Sequence, residues 1–198
     1  MKTRTFEEVF ETLPTGWLTE GEARLLWRVA SSSEGPILEV GCYRGRSTVL
    51  LAALGRPLYC VDPFEGFDSD DPDGTKTMKA WHEAMKSRGI KGGLVLDWGL
   101  IPENVKESAL VWIWPCRIEQ WKPRPVGFAY LDGDHTYEGT VAQLRAAAGC
   151  GAKSVAIHDV NDSGDGVKIK MAALEMLGPW DERVERLAVW TDLRPTAR

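Results

Sequence analysis

Two short strings in the C-terminal half hold residue types that can move protons or grip a cation. They are Leu131-Asp132-Gly133-Asp134-His135 and Ile157-His158-Asp159, and each follows directly on an apolar burst. If the bursts are neighbouring parallel strands, Asp132 and Asp159 meet at one edge of a sheet. Two carboxylates that close both stay ionised at low cost only with a cation or positive group between them. Oxygen ligands with an optional imidazole suit Mg2+ or Mn2+ and match a structural zinc site poorly. Such an ion would bind two oxygens of a diol-like molecule and lower the pKa of one of them. His135, three residues past Asp132, could take that proton, since an unperturbed imidazole titrates at about pH 6.5. In a blander reading the acids cap the helices that follow, and His158 is a rim histidine with no part in the reaction.

A second constellation lies earlier, in Glu39-Val40-Gly41-Cys42-Tyr43-Arg44-Gly45-Arg46-Ser47. Gly41, right after an apolar burst, lets the backbone turn sharply. Gly45 would let a ligand or the sheet come close. The helix that follows offers free N–H groups and a positive dipole end to an anionic ligand group. The next burst, Leu58-Tyr59-Cys60-Val61, ends in Asp62, about 20 residues on, where an acid can bind the ribose hydroxyls of an adenosine. Dinucleotide sites want G-x-G-x-x-G because the pyrophosphate rests on the helix terminus. Here the third glycine is missing, which disfavours a nicotinamide-dependent oxidoreductase.

These strings must be positioned by strands and helices. Thr19 and Glu22 form a capping box ahead of an apolar stripe, predicting a helix over 20–31. A shorter helix is expected within 5–13, broken by Pro14 and Gly16. Strands are expected at 36–40, 58–61, 109–114, 126–131 and 154–157. Helices are expected at 47–54, 75–88, 137–148 and 167–177, and at least one more strand at 184–191. Apolar strands without polar alternation, interleaved with helices, argue for a doubly wound, mostly parallel α/β sheet covered on both faces. The stretch 65–108 is a long excursion between strands, and part of it is expected to cover the active site.

The bulk properties agree. A chain of 198 residues with 43% hydrophobic and 27% charged content suits one soluble domain, with a helical cap over 1–34 and a catalytic sheet over 35–198. A net charge of −5 argues against a nucleic-acid partner, and the run Lys86, Arg88, Lys91 reads as a solvated helix face. No stretch approaches the roughly 18 apolar residues of a membrane span, and the N-terminus lacks a secretory h-region, so a cytoplasmic location is expected. Cys42, Cys60, Cys116 and Cys150 form no C-x-x-C pair and read as buried thiols in a reduced compartment. Most of the nine tryptophans are read as core or pocket lining.

Together, ILEVGCYRGRSTVLL, LYCVDPFEGF and FAYLDGDHTYEG…VAIHDV resemble class I S-adenosylmethionine-dependent methyltransferases, over about residues 36–162. More narrowly they resemble the metal-dependent sugar O-methyltransferase branch typified by macrocin O-methyltransferase. The resemblance implies a Rossmann-like sheet with S-adenosylmethionine over the Gly41 turn, and Glu39 and Gly41 flanking its amino-acid end. Ser47 would donate to its carboxylate, Asp62 would take the ribose, and Arg117 or Ile118 would sit by the adenine. Tyr43, Gly45 and Phe64 complete the expected cofactor set. The resemblance implies Asp132 and Asp159 as metal ligands, with His158 in a slot where relatives carry an acid, and His135 as the base. The expected partner is a small-molecule hydroxyl acceptor, and relatives often form homo-oligomers. A non-catalytic cofactor-binding accessory protein is the alternative from a different class.

Overall fold

Ile37 and Leu38 are neighbours in β1 (Ile37–Val40), yet they belong to apolar clusters on opposite sides of one sheet, and both are fully buried. A strand turns successive side chains to opposite faces, so burial at every position requires cover on both sides. The same holds in β4 (Val111–Trp114), β5 (Phe128–Leu131) and β8 (Leu187–Trp190). The structure is a computed structural model that describes residues 4–65, 70–94 and 111–193.

The remaining strands are β2 (Leu58–Val61), β3 (Gly92–Leu94), β6 (Ser154–Ile157) and β7 (Glu182–Val184). The sheet runs β3-β4-β2-β1-β5-β6-β8-β7. β1 to β6 pair in parallel, whereas β8 is antiparallel to both β6 and β7. The strand expected at 184–191 is therefore a hairpin, β7–β8, added to an otherwise parallel sheet.

Helices α1 (Phe6–Phe10), α2 (Glu20–Ser32), α3 (Arg46–Ala52) and α4 (Thr75–Ser87) send Phe6, Leu26, Leu50 and Trp81 into the cluster that contains Ile37. Helices α5 (Tyr137–Gly149) and α6 (Gly166–Leu177) send Leu144 and Ile169 into the cluster that contains Leu38. The doubly wound sheet expected from the sequence is borne out. The capping box at Thr19 and Glu22 is present and starts α2 at Glu20.

Chain order reverses at β1, whose neighbours are β2 on one side and β5 on the other. In open α/β sheets ligands bind at the carboxyl ends of the strands beside such a switch. A cleft of about 330 Å3 opens there. Within the 65–108 excursion the described part is β3 and α4, and α4 contributes Thr77 to the cleft wall. Residues 66–69 and 95–108 of the stretch expected in part to cover the active site lie outside the described residues. Among the described residues no helix is long and apolar enough to cross a membrane.

Candidate active site

One wall of the cleft is the turn after β1. Gly41, Tyr43 and Ser47 line it, with Gly41 at φ +83° and Tyr43 at φ +46°. Asp62, at the end of β2, braces this turn from below. Its Oδ2 accepts the N–H groups of Cys42 at 2.7 Å and Tyr43 at 2.8 Å, and its Oδ1 accepts that of Phe64 at 2.7 Å. Burial raises the Asp62 pKa, while these three N–H donors work to lower it. Asp62 and Phe64 both line the cleft, as do Arg117 and Ile118 just past β4.

Glu39 and Gly45 do not line it. Glu39 is fully buried behind the turn, where Ser47 donates to its Oε1 at 2.5 Å and the Cys60 thiol lies 3.4 Å from its Oε2. Burial pushes the Glu39 carboxyl up to about 7. It also raises the neighbouring Cys42 and Cys60 thiols. The Ser47 hydroxyl is thus engaged behind the turn, with the Glu39 carboxyl. At Gly45 the close approach is made by α4, since a Cβ there would lie 3.2 Å from Trp81 and 3.1 Å from Met85. The sequence suggested the close approach of a ligand or the sheet, and a helix fills the space instead.

The other end of the cleft holds the two strings that end β5 and β6. The parallel register sets Leu131 opposite Ile157, so the following residues converge. His158 Nδ1 lies 3.3 Å from Asp132 Oδ1 and 3.6 Å from Asp159 Oδ1. His135 Nε2 lies 3.6 Å from Asp132 Oδ1 and 3.7 Å from Asp159 Oδ2. All four residues line the cleft. Atoms of Asp132, His158 and Asp159 that can bind a metal lie within 4.8 Å of one another. Asp134 has a local task instead, accepting the Thr136 N–H at 2.8 Å just ahead of α5.

Charge is balanced tightly here. Burial disfavours the Asp132 carboxylate, but the imidazoles of His158 and His135 outweigh it and hold the group well below the usual range. Burial likewise works to lower His158. Asp132, Asp159 and Glu22 outweigh it and raise the ring well above its ordinary pKa. His135 is raised mainly by its contact with Asp132. Asp159 Oδ1 is buried without a hydrogen-bond partner, although the Arg186 Nη1 cation stands 2.9 Å away.

Backbone strain marks the same place. Five described non-glycine residues have positive φ, and Tyr43, Phe64 and Asp159 of these line the cleft. Such conformations persist where the surroundings over-determine them, often at functional sites.

Several contributors were not read from the sequence. Tyr130 donates to Asp132 Oδ2 at 2.9 Å and so orients it, yet within an all-apolar strand it reads only as core. Arg186 comes from the β7–β8 turn and Glu22 from α2, both far away in the chain. Trp17 lines the cleft, is 58% exposed and stacks on Tyr43 with ring centroids 5.1 Å apart. Its loop is tied to α3 by Arg46, which donates to the carbonyls of Leu18 at 2.8 Å and Pro14 at 2.6 Å. The break at Pro14 and Gly16 was the only local sign of that loop.

The fold and this cleft define a class I methyltransferase, an enzyme that uses S-adenosylmethionine. Residues 38–160 match the family described as "Methyltransferase domain", and the chain belongs to that family. Three solved structures share the fold. CalS11, a calicheamicin methyltransferase, is 16% identical with a TM-score of 0.61, over 94% of this chain and 89% of that one. Cofactor-bound Rv0187 from MTB is 15% identical with a TM-score of 0.60, over 94% and 87%. A putative O-methyltransferase from Klebsiella pneumoniae is 13% identical with a TM-score of 0.59, over 95% and 90%. At these identities the likeness is one of fold. No curated protein sequence matches the chain.

Proposed function

We propose that this methyltransferase methylates an oxygen of a small hydroxylated acceptor with the help of a divalent cation, as in the metal-dependent sugar O-methyltransferase branch. The observation that carries the reading is the convergence of Asp132, His158 and Asp159 beside His135, in the cleft that also holds the Gly41 turn. CalS11 and the Klebsiella pneumoniae protein are described as a calicheamicin methyltransferase and a putative O-methyltransferase, which favours a small-molecule oxygen acceptor.

The donor set fits Mg2+ or Mn2+. Two carboxylates and an imidazole are gathered within 4.8 Å, and a buried Asp159 oxygen lacks a hydrogen bond. Asp132, His158 and Asp159 would hold the ion, which would act as a Lewis acid on the acceptor oxygen. His135 accepts the hydroxyl proton. Asp62 has three of a carboxylate's about four acceptor positions filled by N–H groups, leaving one for a ribose hydroxyl. Gly41, Tyr43 and Ser47 would bound the amino-acid end of S-adenosylmethionine, and Phe64, Arg117 and Ile118 the adenosine end. Glu39 and Gly45 act from behind, by holding the turn in shape. Positioning the acceptor oxygen about 3 Å from the methyl carbon supplies much of the rate. The described strands and helices serve as one catalytic unit, capped by the N-terminal helices.

The test is transfer of a labelled methyl group from S-adenosylmethionine to a panel of sugars, catechols and amines, with Mg2+ or Mn2+ and with a chelator. The expected result is labelling of hydroxyl acceptors that the chelator abolishes. Undiminished transfer in the chelator would remove the metal from the reading, and labelling of amines alone would remove the oxygen.

A further inference from the structure

Two Thr-x-x-Glu capping boxes occur among the described residues, and their glutamates have different fates. In α1 the box pairs Thr5 with Glu8, and Glu8 is exposed. In α2 it pairs Thr19 with Glu22, and Glu22 is wholly buried. A cap requires no burial, and a buried carboxylate is costly unless it is paired. Glu22 is paired three ways. Its Oε2 accepts the Thr19 N–H at 2.9 Å and its Oε1 accepts the Arg186 N–H at 3.0 Å. The same Oε2 lies 3.3 Å from His158 Nε2, an ion-pair contact and not a hydrogen bond.

His158 is 3% exposed, and its ring spans two groups of acids. Nε2 faces Glu22, whereas Nδ1 faces Asp132 and Asp159. A histidine that ligates a metal generally gives its other N–H to a carboxylate, which fixes tautomer and ring orientation and raises ligand basicity. We infer that Glu22 is the positioning residue for His158: its buried carboxylate faces Nε2 and sets the ring so that Nδ1 faces Asp132 and Asp159. Helix α2 is thereby joined to the cation site through one carboxylate. This inference rests on the proposed metal reading, and the experiment separates the two.

Mn2+ is titrated into the full chain with S-adenosylhomocysteine present, and bound ion is followed by electron paramagnetic resonance and calorimetry. Wild type is compared with Glu22→Gln and with Thr19→Ala, which removes the cap side chain and leaves Glu22 in place. Glu22→Gln is expected to weaken Mn2+ binding by about 10- to 100-fold, with circular dichroism still that of the folded chain. Thr19→Ala is expected to lower Tm while Mn2+ affinity stays within about twofold. Equal Mn2+ affinity in wild type and Glu22→Gln would overturn the role of Glu22 and leave the metal reading standing. Equal losses in Glu22→Gln and Thr19→Ala would also overturn it, because Glu22 would then act only through the helix. Absence of Mn2+ binding by wild type would overturn both the inference and the metal reading.

Discussion

A methyl group placed on Gly41 would come within 2.1 Å of the carbonyl oxygen of Asp132. The turn that follows β1 and the strand end that begins the acid cluster are thus in backbone contact. Gly41→Ala must both adopt φ +83° and push β1 and β5 apart. Left-handed backbone costs an L-residue about 1–2 kcal/mol and overpacking about 1–3 kcal/mol, so a loss of roughly 3 kcal/mol is expected. Urea denaturation reads this directly, and a variant as stable as wild type would show that the two ends can separate freely.

His135 as base predicts a specific split between chemistry and binding. His135→Ala should lower turnover by about 100-fold or more, while calorimetric affinity for S-adenosylhomocysteine stays unchanged. Because Asp132 raises its pKa, the neutral form becomes dominant only above the ordinary imidazole range. In the metal-free chain the His135 ring should therefore titrate above about 6.5, as read by NMR of its ring protons. A ring that titrates below that value would count against the contact with Asp132.

Glu39 makes stability depend on pH in the opposite sense to most carboxylates. Its folded pKa of about 7 lies above the ordinary 4.5, so the folded state holds the proton more tightly than the unfolded chain. The full contribution is present below pH 4.5 and is lost as pH rises through about 7. A shift of this size corresponds to about 3 kcal/mol. Glu39→Gln should flatten the stability profile between these values, as measured by chemical denaturation across pH. A wild-type profile that is flat there would count against a protonated Glu39.

Arg186 predicts a change opposite in sign to that of Glu22→Gln. Its guanidinium stands 2.9 Å from Asp159 Oδ1 and is partly exposed, so it competes with any cation for that carboxylate. Arg186→Gln keeps the backbone N–H that Glu22 accepts and removes the charge. Solvent screening limits the effect, and Mn2+ affinity is expected to rise about fivefold. Weaker binding in calorimetry would mean that Arg186 supports the site instead of competing for it.

The elements were largely legible because each carries its own local signal. The strand 58–61 matched residue for residue, and α2, α4, α5 and α6 began and ended within a residue of expectation. The meeting of Asp132 and Asp159 was legible because a parallel register carries equal positions to one edge. Gly45 shows the limit of such reading. A glycine announces that something comes close, but the choice between a ligand and the Trp81–Met85 face of α4 depends on a helix that its own turn does not encode.

By itself the sequence determined the alternation of strand and helix, the sharp turn at Gly41, and the strand ends that bear Asp62, Asp132 and Asp159. These follow from side-chain shape and hydrophobic spacing over a few residues. Only the tertiary structure decided that Glu22 caps α2 from inside the molecule, that Arg186 reaches Asp159, and that Trp17 lies on Tyr43. Those contacts join segments far apart in the chain, and they form only once both faces of the sheet are covered. Local residue spacing carries no record of which distant surfaces will meet when the apolar faces close.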